Sequence, residues 1–155
     1  MAIIEYKPVL SVFLLSLCLI VPFTRATDVR YCDKKADYDV KVKGVEISPN
    51  PVVRGQQATF SISASTGKAI SGGKLIIEVS YFGWHIHSET HDLCDETSCP
   101  VSDGNFIVSH SQVLPGFTPP GSYSLTMKMY DGKKHELTCI AFDFSIGFAS
   151  SVQDS

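Results

Sequence analysis

No run of basic residues in this sequence is longer than two, no Asn-x-Ser/Thr triplet occurs, and tryptophan appears once, at Trp84. The first absence removes the electrostatic footprint of a nucleic-acid binder and of a polybasic membrane patch. The second removes an N-glycosylation site. There is no G-x-S-x-G elbow and no glycine loop of the phosphate-cradling kind. Serine and histidine are plentiful, but nothing orders them into a triad, so no enzyme class is supported. Helical periodicity is nearly absent too.

Only one apolar run is long, "VLSVFLLSLCLIV" from Val9 to Val21. Lys7 precedes it, and "PFTRA" follows, ending in the small Ala26. Residues 1–26 therefore read as a secretory signal peptide, too short and too weakly flanked for a membrane span. Its removal would leave residues 27–155, the size of one domain and expected to be soluble. The destination is extracellular space, vacuole or endoplasmic reticulum lumen, with no KDEL-type ending after "VQDS" to choose among them. The formal charge of −3 becomes one unit more negative when Glu5, Lys7 and Arg25 leave.

Cys18 leaves with the leader, and Cys32, Cys94, Cys99 and Cys139 remain. An even number in an exported chain reads as two disulfides, with three connectivities open. Cys94 and Cys99 enclose only "DETS" and could close a tight loop. Cys32 and Cys139 would then tie the beginning of the chain to its end.

What fills the rest is two-residue alternation broken by Gly, Pro, Asp and Asn. "DVKVKGVEIS" alternates at Val40 and Val42, then shifts phase to Val45 and Ile47, which predicts a β-bulge at Gly44. "ATFSISAS", "KLIIEVSYF", "NFIVSHSQVL", "SYSLTMKMY" and "HELTCIAFDFSI" each carry one apolar and one polar face. Six or seven half-buried antiparallel strands predict an all-β sandwich of two sheets. An immunoglobulin domain proper is disfavoured: Cys32 precedes every predicted strand, and Leu125, not cysteine, stands two after Tyr123.

"YCD", "ISGGKLIIEVSYFG", "IHSETHDLCDETSCP", "VLPGFTPPGSYSL" and "LTCIAFDFSI" together resemble the MD-2-related lipid-recognition (ML) family. The likeness is to its plant branch of phosphatidylglycerol/phosphatidylinositol transfer proteins, and more distantly to the lysosomal sterol carrier. The resemblance implies an immunoglobulin-like β-sandwich holding lipid between its sheets, with Cys32 paired to Cys139 and Cys94 to Cys99. No cysteines correspond to the sterol carrier's third, early disulfide, so sterol specificity is not carried over.

Phe60, Ile62, Leu75, Ile77, Val79, Tyr81, Phe106, Val108, Leu125, Met127, Phe142 and Phe144 are expected to line that interior. An ordinary packed core has the same periodicity, and about half of them should be plain core. The resemblance places "LPGFTPPG" at the cavity mouth, with Leu114, Phe117, Pro119 and Pro120. It also makes the segment of Trp84 and Ile86 a rim, with both side chains toward lipid and the Cys94–Cys99 loop steadying it.

His85, His87 and His91, with Glu89, have a spacing zinc could use. Oxidised cysteines are not available to join them, and the resemblance implies no metal, so they are expected to be surface histidines, with a pH-sensing role as the second reading. Asp95 and Glu96 read as a solvated turn. Lys133 and Lys134, at the Asp131-Gly132 turn, read as solubilising, or as partners for a headgroup phosphate.

The expected function is non-catalytic binding and transfer of phospholipid or sterol by a monomer in transient contact with membranes. It needs no cofactor, and the sequence identifies no protein partner. The alternative is an interaction module presenting lipid, or its own surface, to a receptor.

Overall fold

A computed structural model describes residues 27–148. The predicted leader and the last seven residues lie outside that range. Eight strands follow one another: β1 (Val29–Tyr31), β2 (Val40–Ser48), β3 (Gln57–Thr66), β4 (Gly73–Tyr81), β5 (Trp84–Asp92), β6 (Gly104–Val113), β7 (Gly121–Asp131) and β8 (Glu136–Ile146). A single helical turn, α1 (Leu93–Glu96), links β5 to β6. One sheet has the order β1-β8-β7-β4-β5 and the other β2-β3-β6, all pairings antiparallel.

Alternation drives this arrangement. On β8, Ile140, Phe142, Phe144 and Ile146 are buried, and on β7 so are Tyr123, Leu125, Met127 and Met129. The sheets meet through these faces, with Phe60 of β3 packed 6.1 Å from Phe142 and 5.4 Å from Phe144 of the other sheet, ring centre to ring centre. The phase shift in β2 is a bulge, where the register with β3 jumps between Val42 and Gly44. Gly73 admits no side chain, because a Cβ there would stand 1.9 Å from the Tyr130 carbonyl oxygen.

Two strands escape periodicity. β1 has three residues, too few to show a period, and it brings a correction: Cys32 follows a strand instead of preceding all of them. β5 carries His87, Glu89 and His91 where an apolar face would otherwise be, so only the resemblance singled it out.

Cys32 is bonded to Cys139 and Cys94 to Cys99. Phe82 (φ 50°) and Gly83 (φ 79°) form the two-residue turn between β4 and β5, the left-handed pair that matches the twist of a hairpin.

Candidate functional site

A cavity of about 430 Å³ lies between the sheets at one end of the sandwich. The large sheet supplies Ile77, Val79 and Tyr81 from β4, Tyr123 and Leu125 from β7, and Phe144 and Ile146 from β8. The small sheet supplies Phe60 from β3, with His110 and Gln112 from β6. Leu114, Pro115, Phe117, Thr118 and Pro119 close over the rim from the β6–β7 loop.

The aromatic wall supports itself. Tyr81, Tyr123 and Phe144 are register neighbours across three strands, with ring centres 4.5 and 5.4 Å apart in stacked geometry. Their polar tips are used elsewhere. Tyr123 donates its hydroxyl proton to the Pro119 carbonyl at 2.6 Å, and Tyr81 donates to that of Pro120 at 3.1 Å. Burial and the neighbouring Tyr81 push the Tyr123 hydroxyl above its usual pKa, which keeps it a donor. Arg54 adds a hydrogen bond to the Thr118 carbonyl, and the Gly55 amide one to that of Leu114. The proline-rich loop is thus fixed by side chains whose apolar faces are free to meet a guest.

Of the residues expected to line the interior, Phe60, Ile77, Val79, Tyr81, Leu125 and Phe144 do so, as do Ile86, Leu114, Phe117 and Pro119 at the mouth. The other six interior candidates do not reach the cavity, in line with the expectation that about half would be plain core, and two mouth candidates, Trp84 and Pro120, lie off its wall. Ile62, Leu75, Val108, Met127 and Phe142 are fully buried packing residues at the other end, where the sheets close on each other. Phe106, half-buried, lies at that end too. Trp84 is 78% exposed and off the cavity wall. Pro120 contributes its carbonyl and not its ring.

The Cys94–Cys99 loop is no part of the mouth. It follows the far end of β5, roughly 25 Å along the strand from Trp84. Lys133 and Lys134, in the β7–β8 turn, also lie at the closed end.

Sequence reasoning missed His87, His110, Gln112, Pro115, Thr118, Tyr123 and Ile146 as lining residues. A signal existed for some of them: Tyr123 and Ile146 share faces with Leu125 and Phe144, and His110 with Val108. Ile86 and His87 both reach the wall although they are consecutive, because a bulge opposite Val79 and Ser80 puts Ile86 out of register.

The grouping of His85, His87 and His91 that their spacing would allow does not form, but neither are all three simple surface histidines. His85 is exposed, while His91 meets His110 with ring centres 4.8 Å apart. Glu96 is not a solvated turn residue either; its side chain is 11% exposed and faces both rings. Burial alone would raise the Glu89 carboxyl, but interactions with His91 and His87 and the charge of His110 outweigh it and hold that carboxyl below its usual range.

The family model for the ML domain matches residues 26–146. A Dictyostelium discoideum protein named for phosphatidylglycerol/phosphatidylinositol transfer is 34% identical over 72% of this chain and 80% of its own. The MD-2-related lipid-recognition protein ROSY1 of Arabidopsis thaliana is 30% identical over 78% and 79%. The chain spans only 65% of the Candida albicans phosphatidylglycerol/phosphatidylinositol transfer protein, at 27% identity over 77% of this chain. Among solved structures, a Niemann-Pick type C2 protein of the Japanese carpenter ant aligns with a TM-score of 0.60 at 14% identity, over 76% of this chain and 99% of that one. Chicken MD-1, solved with lipid IVa, aligns at 0.52 and 14%, over 76% and 87%. At such identities both speak for the fold alone.

Proposed function

Because this chain belongs to the ML-domain family, we propose that its inter-sheet cavity takes up the apolar part of one membrane lipid and carries it between membranes unchanged. The observation that carries this reading is the cavity: about 430 Å³, walled by aliphatic and aromatic side chains, and reaching the surface beside Phe117. That volume is typical of a small-molecule site, about 300–1,000 Å³. Burying some 14 to 18 methylenes at about 0.8 kcal/mol each gains on the order of 10 kcal/mol over water. A bilayer offers the lipid nearly the same gain, so exchange is close to balanced, as a shuttle requires.

Relatives named for phosphatidylglycerol and phosphatidylinositol transfer favour a glycerophospholipid as cargo over a sterol. The headgroup would stay at the mouth. Around that mouth Phe82, Trp84 and Phe117 are 77, 78 and 87% exposed. Phe82 holds its place despite a left-handed backbone, which costs a residue with a side chain roughly 1–2 kcal/mol. Such an aromatic collar suits the membrane interface, and it gives Trp84 a role outside the cavity. Two disulfides agree with an oxidising, extracellular or luminal compartment. The protein acts as a monomer and performs no catalysis.

The test is organic extraction of the purified, oxidised protein followed by mass spectrometry, together with transfer of labelled phosphatidylglycerol or phosphatidylinositol between vesicles. One co-purifying lipid per chain and transfer above the spontaneous rate are expected. A lipid-free protein that leaves the spontaneous rate unchanged would overturn the proposal.

A further inference from the structure

The inner face of β5 breaks the rule that shapes every other strand. Pairing sets His87, Glu89 and His91 opposite Val79, Ile77 and Leu75, on the side that faces the other sheet. On β6, His110 sits opposite Phe60 with only 6% of its side chain exposed. β5 and β6 are the outermost strands of different sheets, so these side chains meet across the gap between two sheet edges.

Glu89 Oε1 lies 3.0 Å from His110 Nε2 and 3.1 Å from His91 Nε2. Behind both rings, Glu96 Oε1 lies 3.2 Å from Nδ1 of His110 and 3.6 Å from Nδ1 of His91. The second oxygen of Glu89 meets His87 Nε2 at 3.2 Å. Each of the two rings therefore turns one nitrogen to Glu89 and the other to Glu96.

Hydrogen bonding does not complete this arrangement. Glu89 Oε1 and His91 Nε2 are shielded from solvent and 3.1 Å apart, yet their contact lacks hydrogen-bond geometry and neither atom has another hydrogen-bond partner among the described residues. A buried polar atom without a partner costs about 1–3 kcal/mol, and here two stand side by side. Two ligands of one zinc ion have this relation. At about 2.0–2.2 Å from the metal and a tetrahedral angle they lie roughly 3.3 Å apart, with their lone pairs aimed at the ion and not at each other.

We propose that Glu89 Oε1, His91 Nε2 and His110 Nε2 form a three-ligand site for a divalent transition metal, zinc by its donor set, which clasps the edge of one sheet to the edge of the other. Each of the three residues offers a ligand atom within 4.8 Å of those of the other two. Imidazole with carboxylate suits zinc, whereas calcium and magnesium take oxygen alone. Glu96 accepts the Nδ1 proton of His110 and faces Nδ1 of His91, favouring the tautomer that leaves Nε2 to the metal, and His87 orients the Glu89 carboxylate. His110 Nε2 is also in hydrogen-bond contact with Gln112 Oε1, 3.3 Å away on the cavity wall, a contact that the metal would replace. Inward charges on an edge strand also discourage strand addition, but that purpose needs neither a second histidine from the other sheet nor a carboxylate behind both rings.

The experiment uses the whole, oxidised protein after treatment with chelator, titrated with Co²⁺ and then Zn²⁺. One Co²⁺ per chain should bind with the intense visible d–d bands of low coordination number, and stoichiometric Zn²⁺ should displace it. E96Q should weaken Zn²⁺ binding about 10- to 100-fold, and H91Q or E89Q should weaken it further. H85Q and H135Q, at exposed histidines outside the cluster, should leave it unchanged. His91 is only partly buried, so H91Q decides the matter if E89Q fails to fold by circular dichroism. Absence of binding to the wild type at micromolar Co²⁺ or Zn²⁺, or binding that H91Q leaves intact, would overturn the site. No lipid enters this measurement, so its outcome is separate from that of the transfer assay.

Discussion

The two ends of the sandwich are built by the same strands and end differently. Along β8, Ile140 and Phe142 fill the interior, while Phe144 and Ile146, the next inward positions, face the cavity. The change recurs on β7 between Met127 and Leu125, on β4 between Leu75 and Ile77, on β3 between Ile62 and Phe60, and on β6 between Val108 and His110. Exposure does not separate the two sets: Phe144 is 6% exposed and Leu125 5%. What separates them is the opposite side. At the closed end side chains meet across the sheets, whereas at the open end the ring contact across them is the edge of Phe60 on Phe144, and Tyr81, Tyr123 and Phe144 otherwise stack on their neighbours within one sheet. A wall that packs sideways needs nothing in front of it.

Both disulfides stand at the closed end, and the largest expected effect follows from that. Opening Cys32–Cys139, separated by 107 residues, should cost about 4 to 5 kcal/mol in the chain-entropy model, and opening Cys94–Cys99 about 2 kcal/mol. Urea denaturation of the two serine double variants measures both. Next comes a matched pair of truncations. Phe142→Ala at the closed end should lose about 3–5 kcal/mol, whereas Phe144→Ala, whose ring already lacks contacts on one side, should lose about 1–3 kcal/mol. Equal losses would erase the distinction between the ends. The converse pair adds volume: Leu125→Trp should expel co-purifying lipid with a loss below about 1 kcal/mol, while Met127→Trp overpacks the core at about 1–3 kcal/mol.

That comparison also explains what the sequence made legible. Period-two alternation located β3, β4, β6, β7 and β8, and the phase shift at Gly44 located a bulge, because both are local. β1 was too short to carry a period, and β5 carried none because His87, Glu89 and His91 take its inward positions. Membership of the cavity wall is not local. Ile62 and Phe60 are indistinguishable in sequence, since both are inward, apolar and flanked by small polar residues. The spacing between sheets decides which of them meets a partner and which meets a cavity. The Leu114–Thr118 loop was reached only through the resemblance, which supplies the tertiary relation that periodicity lacks. The same route puts Trp84 on the rim with its side chain toward lipid, whereas its ring stands exposed just after the Phe82-Gly83 turn.

Smaller effects on stability belong to the rim. Phe117→Ala and Trp84→Ala remove exposed rings, so unfolding free energy should change by no more than about 0.5 kcal/mol. Their effect should fall on transfer, slowing exchange with vesicles several-fold while the amount of extractable lipid stays the same. Trp84 reports directly on this step: its emission should shift to the blue on mixing with vesicles, and an unchanged spectrum would leave the collar without a membrane role.

The smallest expected effect is on the outer face at the open end, where no disulfide helps. Arg30 of β1 reaches Asp143 of β8 at 3.2 Å and the Ser124 hydroxyl of β7 at 3.2 Å, lacing three strands together. The hydrogen bond from Arg30 is the main cause holding the Asp143 carboxyl below its usual pKa, against a partial offset from burial. Folding therefore favours the ionised form. The stabilisation is fully present above the unfolded value of about 3.9 and disappears as pH falls through the lower folded value. Both side chains are about half exposed, so the pair is worth a few tenths of a kcal/mol. Asp143→Asn should lower the thermal midpoint slightly and equally at pH 7 and pH 5, and the gap should close at the acid end, below about pH 4. A gap already closed at pH 5 would mean that the lacing titrates within the luminal range, and the open end would then loosen where the closed end does not.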